Sequence, residues 1–226
     1  MKIRVVMPLW KRPEVTKFCF DGMLRLIASS KHEIDVTCVL SETEFIPICE
    51  EYGFDWIFEN NLPLGKKINS GIKSTLKLEY DYLMMMNSDD IIETELLDNY
   101  YDQFIERKTQ LFGINRVTYV NFYTHEAREV SYDYSLLGIA KMIHRNTVEQ
   151  FNGELYPAGL NKSLDDNMLY SMTKAKIFPD LVKYDGMLAM DFKSEVNIWP
   201  WEKFKHKGEK VCYKPKTYAE GNLTVR

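Results

Sequence analysis

The stretch YDYLMMMNSDDII, at residues 80–92, decides how the rest of the chain is interpreted. Its apolar part, residues 82–86, has the length of a buried strand and is followed at once by the polar run NSDD. A strand with apolar side chains on both faces belongs in the middle of a sheet that helices cover. We therefore predict a central strand with two carboxylates, Asp89 and Asp90, at its carboxyl end.

These two carboxylates have two interpretations. Like charges that lie close together resist joint ionisation, and burying them without a counter-charge is costly. A divalent metal bound to a phosphate ligand would offset this cost, because Mg²⁺ and Mn²⁺ prefer carboxylate oxygens. In the other interpretation, residues 87–90 form a turn and cap the next helix, as Asp and Asn commonly do. The rest of the chain favours the metal.

Composition excludes several classes of protein. The 226 residues suffice for one sizeable core in a single α/β domain, and the net charge of −4 offers no broad basic field for nucleic acid or anionic membranes. A transmembrane run of about 18 apolar residues is missing, and MKIRVVMPLW predicts a first strand rather than a signal peptide. The four cysteines lack the paired spacing of zinc or redox sites, so we expect reduced thiols and a cytoplasmic protein.

Strands and helices alternate four times in the first half of the chain. Apolar runs predict strands at residues 3–7, 34–40 and 54–58, before the strand at residues 82–86. Apolar residues at helical spacing predict the intervening helices, at residues 13–30, 46–52 and 65–79. Such alternation is typical of an α/β fold with a parallel sheet and right-handed crossovers.

After a predicted helix at residues 93–107, the pattern becomes irregular. Extended segments are predicted at residues 110–123 and 129–134, and a small-residue strand at residues 138–143. Ser163 is the predicted cap of a helix at residues 164–174, with Asp166 at the capping-box position. Without an internal repeat or a flexible linker, residues 1–226 are predicted to form one domain, with a regular half at 1–109 and an irregular half at 110–226.

Polar residues collect where the predicted strands end. In an open α/β sheet, ligands bind beyond the carboxyl ends of the strands. Arg12, Glu42 and Asp89 follow three of these ends and would suit a nucleoside diphosphate, with Glu42 accepting hydrogen bonds from a base edge or a ribose. Asn60 and Asn61 follow the remaining end.

The helix that begins near Gly65 offers a further phosphate site. A helix N-terminus favours phosphate, and Lys66 and Lys67 add positive charge there, although both lysines would equally suit a solvated helix face. No G-x-G-x-x-G motif follows the first strand, and no G-x-x-x-x-G-K-[ST] motif occurs in the chain. This argues against a dinucleotide-dependent dehydrogenase and against a P-loop NTPase.

Several segments, in this order and spacing, make the chain resemble the GT-A glycosyltransferases, and family 2 in particular. They are VVMPLWKRPE (5–14), VLSETE (39–44), NLPLGKKINSGIKSTLKLEYDYLMMMNSDDII (61–92), GIAKMIHRNTVEQF (138–151) and SLDDNMLYSM (163–172). The resemblance implies the GT-A (nucleotide-diphospho-sugar transferase) fold, an α/β fold whose mostly parallel central sheet carries helices on both faces. It further implies that residues 1–109 bind the nucleotide sugar and that residues 110–226 bind the acceptor.

The resemblance also assigns donor-binding residues. The family's P-x-Y-N-R motif corresponds to PLWKR at residues 8–12, and its Gly-Asn-Gly pattern corresponds to Gly65, Asn69 and Gly71. In place of its Asp-x-Asp metal motif the chain has NSD at residues 87–89, so an amide replaces the first carboxylate and Asp89 is the predicted metal ligand. The full set predicted to bind the nucleotide sugar is Pro8, Leu9, Trp10, Arg12, Glu42, Asn61, Gly65, Lys66, Asn69, Asn87 and Ser88.

The family's catalytic base belongs to an acidic pair at the start of a helix that faces the sugar. Asp165 and Asp166 resemble this pair, and by position Asp166 would be the base. An inverting transfer needs a carboxylate that takes the proton of the acceptor hydroxyl while this hydroxyl attacks the anomeric carbon. In the alternative interpretation, the two acids only stabilise the helix N-terminus.

Late residues supply further candidates. The resemblance makes His206 a candidate third metal ligand, although a lone histidine in a basic run such as KFKHKGEK is more often simply solvated. The lysines of that run would hold the diphosphate as a flap. Trp199 and Trp201 are candidates for stacking on an acceptor sugar or for ordinary packing.

Together these observations predict a metal-dependent, inverting glycosyltransferase that uses Mn²⁺ or Mg²⁺. It would move a sugar from a nucleotide-sugar donor, with UDP as the first candidate, to a hydroxyl of a saccharide, a protein side chain or a modified nucleobase such as hydroxymethylated DNA. The absence of a broad basic face argues against DNA, but the locally basic segment at residues 203–210 keeps this acceptor open. One alternative is a non-catalytic nucleotide-sugar-binding module, in which Asn87 records lost metal chemistry. The other is a nucleotidyltransferase, which would be expected to have a glycine-rich loop after its first strand.

Overall fold

The structure is a computed structural model that describes residues 1–133, 135–196 and 200–213, and these residues form two β-sheets with helices packed around them. The strands are β1 (Lys2–Pro8), β2 (Glu33–Leu40), β3 (Asp55–Phe58), β4 (Tyr82–Met85), β5 (Asp90–Ile92), β6 (Leu111–Ile114), β7 (Arg116–Asn121), β8 (Glu126–Ser131), β9 (Lys141–His144), β10 (Asp180–Val182), β11 (Ala189–Lys193) and β12 (Glu209–Cys212). The α-helices are α1 (Pro13–Ser29), α2 (Ile46–Tyr52), α3 (Leu64–Thr75), α4 (Asp102–Glu106), α5 (Arg145–Gln150) and α6 (Leu164–Lys174).

The larger sheet has the predicted character. Within the described residues it contains seven strands in the order β10-β6-β9-β4-β1-β2-β3, and only β9 runs antiparallel to its neighbours. Strand β4 is buried throughout and lies between β1 and β9, which confirms the predicted central strand. The first four strands and their intervening helices occur in the predicted order, so the mostly parallel α/β sheet is confirmed.

Helices cover both faces of this sheet. Alternate residues of each central strand point to opposite faces, and both sets are apolar, so each face is buried by helices. On one face, Phe20 and Leu26 of α1 belong to the same core cluster as Val5 of β1. On the other face, Ile72 of α3 and Met168 of α6 belong to the cluster that contains Val6, Leu83 and Met85. Complete burial of such side chains stabilises the fold by roughly 1.5–3 kcal/mol each. Because its central strands are apolar on both faces, the sheet lies between two layers of helices.

A second sheet was not predicted, although some of its strands were. Among the described residues it holds five strands in the order β12-β8-β7-β11-β5. The predicted extended segments at 110–123 and 129–134 overlap β6, β7 and β8, whereas β5, β10, β11 and β12 had no predicted counterpart. Residues 87–90 do form a turn, closed by a 3.2 Å hydrogen bond from the Asp90 N–H to the Asn87 carbonyl, but this turn leads into β5 and not into a helix. Asp90 lies opposite Asp191 of β11 in the antiparallel pair.

Two predicted helix features differ from the structure. The predicted helix at residues 93–107 is divided into a π-helical segment, Leu96–Tyr100, and the short helix α4. The predicted capping box is wrong: Ser163 has a left-handed backbone (φ 53°), makes no side-chain cap hydrogen bond, and leaves Asp165 to pair with another element.

None of the helices formed by the described residues combines the length and apolar character needed to cross a bilayer. The thiols of Cys19, Cys38, Cys49 and Cys212 are free, and the first three are buried.

Candidate functional site

The candidate site lies at one edge of the larger sheet. Strands β1, β2, β3 and β4 run parallel, so their carboxyl ends lie at one edge, as predicted. Antiparallel β9 therefore begins at this same edge, where Lys141 lies opposite Met85 of β4. We call this side of the sheet the carboxyl edge. The loops that follow the four parallel strands contain residues 9–12, 41–42, 59–61 and 86–89.

Three aspartates form an acidic cluster at the carboxyl edge. Asp89 follows β4, Asp90 begins β5 and Asp191 lies in β11, and one carboxylate oxygen of each lies within 4.8 Å of the others. The Asp89 carbonyl also accepts a hydrogen bond of 2.7 Å from the Phe192 N–H, which joins the β4 loop to β11. Asp191 was not assigned from the sequence. The only signal was an acid inside the otherwise apolar strand segment AMDF, and nothing local indicated its partners.

Arg12 supplies one counter-charge to the cluster. Its Nη1 donates to Asp89 Oδ2 at 2.8 Å and its Nη2 to Ser88 Oγ at 3.3 Å, and its side chain is largely buried. Arg12 and Lys11 both have left-handed backbones (φ 59° and 52°), which bulky residues rarely adopt. Such strain persists where the surrounding contacts over-determine it, and it is concentrated at functional sites. The Pro13 that begins α1 fixes the direction of the chain directly after this strained turn.

Lys193 supplies the second counter-charge. Its Nζ donates to Asp191 Oδ2 at 2.6 Å and lies 4.0 Å from Asp89 Oδ2. The same ammonium lies 5.3 Å and 5.4 Å from the ring centroids of Tyr119 and Phe204, and these aromatic faces favour a cation. Two buried cations therefore balance much of the negative charge for which the sequence had suggested a metal as counter-charge.

The three carboxyl groups differ in their proton affinity. Burial alone would raise the pKa of Asp89, but the charges of Arg12 and Lys193 and the Arg12 hydrogen bond outweigh it, so this pKa is lowered. Burial, together with the charges of Asp191 and Asp89, raises the pKa of Asp90 well above its usual value. Burial also raises the pKa of Asp191 to about 6, although Lys193 opposes the shift. One ionised carboxylate thus lies beside two that retain protons more readily.

Asn87 organises the loop in which a carboxylate would be expected. Its backbone N–H and its Nδ2 both donate to Asp90 Oδ2, at 2.7 Å and 2.8 Å. A carboxylate at this position would face Asp90 with a like charge and could not donate from its side chain. The amide therefore replaces a repulsion with a hydrogen bond.

The cluster has the donor set of a divalent-cation site. Asp90 Oδ1 and Asp191 Oδ1 are buried and have no hydrogen-bond partner within the described ranges. Leaving such an oxygen unsatisfied costs about 1–3 kcal/mol, and carboxylate oxygens are preferred ligands of Mg²⁺ and Mn²⁺. The residues therefore fit a metal. His206, the third metal ligand considered from the sequence, is exposed and does not belong to this cluster, whose third carboxylate is that of Asp191.

The loops after β1 and β2 meet beside this cluster. Pro8 ends β1, and the half-buried ring of Trp10 lies 4.6 Å from Lys11 Nζ. Glu42 Oε2 accepts a 2.7 Å hydrogen bond from the backbone N–H of Lys11. Leu9 is fully buried, so its side chain packs in the core and does not face solvent at the edge.

Lys67 holds three of these loops together. Its fully buried Nζ donates to Leu9 O at 2.5 Å, to Ser41 Oγ at 2.9 Å and to Asn61 Oδ1 at 3.2 Å. Burial lowers its pKa to about 8, although the charge of Glu42 opposes the shift. Neither of the two roles considered from the sequence, a phosphate ligand or a solvated lysine, describes this position.

The N-terminus of α3 is covered by another loop. The N–H groups of Leu64 and Gly65 donate to Asn161 Oδ1 and Leu160 O, at 2.8 Å and 2.9 Å. These N–H groups are therefore occupied, contrary to the prediction that they face an open phosphate site. A Cβ at Gly65 would overlap the Pro157 carbonyl, which explains the glycine by close approach.

Two other residues predicted to bind the nucleotide sugar have partners elsewhere. Lys66 is exposed and pairs with Glu59 at 3.3 Å. Asn69 donates from Nδ2 to Tyr156 O at 2.7 Å and accepts from the Tyr156 N–H at 3.0 Å. Its amide therefore ties α3 to the loop before α6.

The start of α6 lies at the carboxyl edge. Asp165 forms an ion pair with Lys141, which is fully buried and lies opposite Met85, two residues before Asn87. Asp166 is exposed, and its carboxylate makes no hydrogen bond or ion pair with any described residue. The structure thus gives the two acids different environments: Asp165 is anchored, and Asp166 is open to solvent.

Of the remaining predicted residues, Trp199 lies outside the described residues. Trp201 is buried and belongs to the core, which favours packing over stacking on a sugar. Lys205 pairs with Glu202, and Lys207 lies 5.5 Å from the Phe204 ring centroid.

Comparison with solved structures shows the fold. The chain superposes on residues 1–349 of TarS from S. aureus with a TM-score of 0.60 at 18% identity, covering 85% of this chain and 60% of that one. It superposes equally on TarS 1–349 in complex with UDP-GlcNAc, with a TM-score of 0.60, 18% identity, and coverage of 87% and 60%. The chain has the GT-A glycosyltransferase fold.

A further similar structure is the mannosyltransferase PcManGT from Pyrobaculum calidifontis in complex with GDP-Man and Mn²⁺. Its TM-score is 0.60 at 9% identity, with 85% of this chain and 57% of that chain covered. The chain therefore spans about three-fifths of the length of these GT-A chains. No protein-family model and no curated protein sequence matches it.

Proposed function

We propose that the protein is a metal-dependent, inverting glycosyltransferase that moves a sugar from a nucleotide-sugar donor to an acceptor hydroxyl. The observation that carries this proposal is the cluster of Asp89, Asp90 and Asp191 at the carboxyl edge of a GT-A fold, with two unsatisfied carboxylate oxygens. The start of α6 at the same edge adds Asp165 and Asp166. The nucleotide-sugar complexes of the two similar proteins favour the same class of donor.

Each group has a role in the proposed reaction. The loops after β1, β2 and β3 hold the nucleoside, and Arg12 and Lys193 attract the diphosphate. When bound, Mn²⁺ or Mg²⁺ would be held by the three aspartates and would offset charge on the leaving diphosphate. Arg12 and Lys193 add electrostatic stabilisation of that charge in a largely buried setting.

Asp166 is the proposed general base. Its exposed carboxylate takes the proton of the acceptor hydroxyl as the hydroxyl oxygen attacks the anomeric carbon. Asp165, held by Lys141, keeps the first turn of α6 at the carboxyl edge. The acceptor proposed is a saccharide, and a hydroxymethylated DNA base is the second candidate.

A non-catalytic nucleotide-sugar-binding module is the competing function. It is favoured by Arg12 and Lys193, which already balance the acids, and by Asn87 in place of a carboxylate. Such a module would bind the donor and leave it unchanged.

A donor panel separates the two functions. The protein is incubated with UDP-, GDP- and CDP-linked sugars and either Mn²⁺ or Mg²⁺, and mass spectrometry follows donor hydrolysis and transfer to saccharide acceptors. The proposal predicts turnover of one donor class, lost on chelation of the metal. Donor binding without hydrolysis or transfer for any acceptor tested would establish the module instead.

Asp166→Asn tests the base. Removal of a general base should lower transfer by about 10²- to 10⁴-fold and leave donor affinity nearly unchanged. The matched control is Asp180→Asn. Asp180 is an exposed aspartate that begins β10, at the edge of the sheet opposite the carboxyl edge, so this variant should retain full activity. Equal loss of donor binding and transfer in Asp166→Asn would contradict the assignment.

A further inference from the structure

The outer face of α6 carries a row of exposed side chains that begins at the proposed base. The buried side of this helix is formed by three apolar residues four positions apart: Leu164, Met168 and Met172. Asp166, Tyr170 and Lys174 each follow one of these by two residues, which is a little over half a helical turn. All three are exposed, and residues four apart are neighbours on a helix surface, so the row is continuous.

Tyr170 and Lys174 form a unit within this row. The Lys174 ammonium lies 4.3 Å from the centroid of the Tyr170 ring, a distance at which the ring face attracts a cation. Tyr170 is nevertheless 61% exposed, so much of the ring remains open to solvent. Lys174 has no acidic partner among the described residues. The helix therefore presents an aromatic ring together with an unneutralised positive charge.

The charge along α6 has a direction. Asp165 and Asp166 lie in the first turn and Lys174 in the last. Lys176, directly after the helix, is exposed and has no ion pair within the described ranges. Asp166 and Lys174 are separated by about 12 Å along the helix axis. A ligand that follows this row would therefore place a neutral group at the acids and negative charge farther along.

We propose that the outer face of α6 binds the acceptor, and that this acceptor is a saccharide chain that carries negative charge. Its accepting hydroxyl lies at Asp166, a sugar ring stacks on Tyr170, and an anionic substituent pairs with Lys174. One sugar residue is about as long as one helical turn, so the three contacts fall on successive residues of the chain. This inference rests on the proposed function, because it names the class of acceptor that the site takes.

The sparse positive charge favours a saccharide over hydroxymethylated DNA. Duplex DNA carries one charge per about 1.7 Å of its axis, and proteins bind it by neutralising many phosphates. This face offers Lys174 and Lys176, and the two acids at the start of α6 would repel a phosphate backbone. A saccharide that is charged only at intervals avoids this repulsion. The lysines at the far end of α6 then fix its direction.

Calorimetric titration of the full chain tests this face without requiring the donor. The probes are cellotetraose, which is neutral, tetragalacturonate, which carries carboxylates, and a singly phosphorylated maltotetraose. We expect an anionic probe to bind at least about threefold more tightly than cellotetraose, and the preference to fall as the salt concentration rises. Comparison of the two anionic probes identifies the charged group as carboxylate or phosphate.

Two substitutions separate the contacts. Lys174→Glu should lower the affinity for the preferred anionic probe about three- to tenfold, because it replaces an attraction with a repulsion, and should change that for cellotetraose by less than about twofold. Tyr170→Ala should weaken neutral and anionic probes alike, by about three- to tenfold, because it removes the stacking surface. A melting curve of each variant confirms that it remains folded.

Lys108→Glu is the matched control. This exposed lysine follows α4, whose Ile105 packs on the opposite face of the larger sheet, so the variant should keep the preference for the anionic probe. Equal affinities for neutral and anionic probes, or a preference that survives Lys174→Glu, would overturn the inference alone. Tighter binding of a duplex that contains hydroxymethylcytosine than of either anionic probe would also overturn it. Absence of donor turnover, by contrast, would overturn the proposed function, and with it the acceptor role of this face, whatever these affinities are.

Discussion

At the residue scale, the buried ammonium group of Lys67 holds together three loops at the carboxyl edge. Lysine is almost never fully buried without a paired acid, yet Lys67 uses three neutral oxygens from three loops. Its side chain extends from α3, and its ammonium group donates to residues that follow β1, β2 and β3. The cost of burying that charge appears as a lowered pKa.

This cost predicts a pH dependence of stability. The folded-state pKa of Lys67 is about 8, below its ordinary value of 10.5, so between these values the unfolded chain binds the extra proton. Stability contributed by this group therefore rises with pH from about 8 to 10.5, on the order of 3 kcal/mol. Below pH 8 the full cost of burying the ammonium is present.

Urea unfolding of the unmodified protein and of Lys67→Met, at several pH values, measures this contribution. The difference in unfolding free energy should move in favour of the unmodified protein as the pH rises through this window. Lys66→Met, which alters the exposed neighbouring lysine, should show a constant difference. A flat difference for Lys67→Met would contradict the assigned burial cost.

At the element scale, a half-buried ion pair links the first turn of α6 to the sheet, in addition to the apolar packing of this helix. Lys141 lies fully inside the protein, and Asp165 is 43% exposed at the first turn of the helix. Burial alone would lower the pKa of Lys141, but the charge of Asp165 outweighs it and raises this pKa. Asp165 therefore supplies the counter-charge of a buried ammonium group.

Asp165→Asn is expected to destabilise the fold, because it leaves the Lys141 charge buried without a counter-charge. The expected loss is roughly 2–4 kcal/mol in the free energy of unfolding, whereas Asp166→Asn at the exposed position should change it by less than about 0.5 kcal/mol. Chemical denaturation of both variants gives the comparison. Equal losses would mean that the Lys141 contact does not anchor the helix.

At the scale of the whole molecule, the sequence predicts what depends on local pattern. Strands β1 to β4 and the helices between them follow from apolar periodicity, and their parallel order places Arg12, Glu42 and Asp89 on one edge without further information. Asp191 could not be predicted, because β11 meets β5 about one hundred residues away along the chain, through a pairing that no local signal encodes. Lys67 was equally hidden, since its spacing also fits a solvated helix face.

The same division applies to charge. From the sequence, two adjacent acids required a counter-charge, and a metal was the only one considered. The fold brings Arg12 and Lys193 to the same place, so a bound metal would be one of three cations there. The two buried oxygens without partners, on Asp90 and Asp191, are what still favour the metal.

In the proposed site, acids from β5, β11 and the loop after β4 hold a cation together with a nucleoside diphosphate. The most direct test is the affinity for UDP with saturating Mn²⁺ and with a chelator, in the unmodified protein and in Asp191→Asn, with Asp180→Asn as control. Mn²⁺ should raise the affinity for UDP at least about tenfold, and Asp191→Asn should remove most of this gain while the control variant retains it. UDP binding that is tight without metal and unchanged by Asp191→Asn would contradict it.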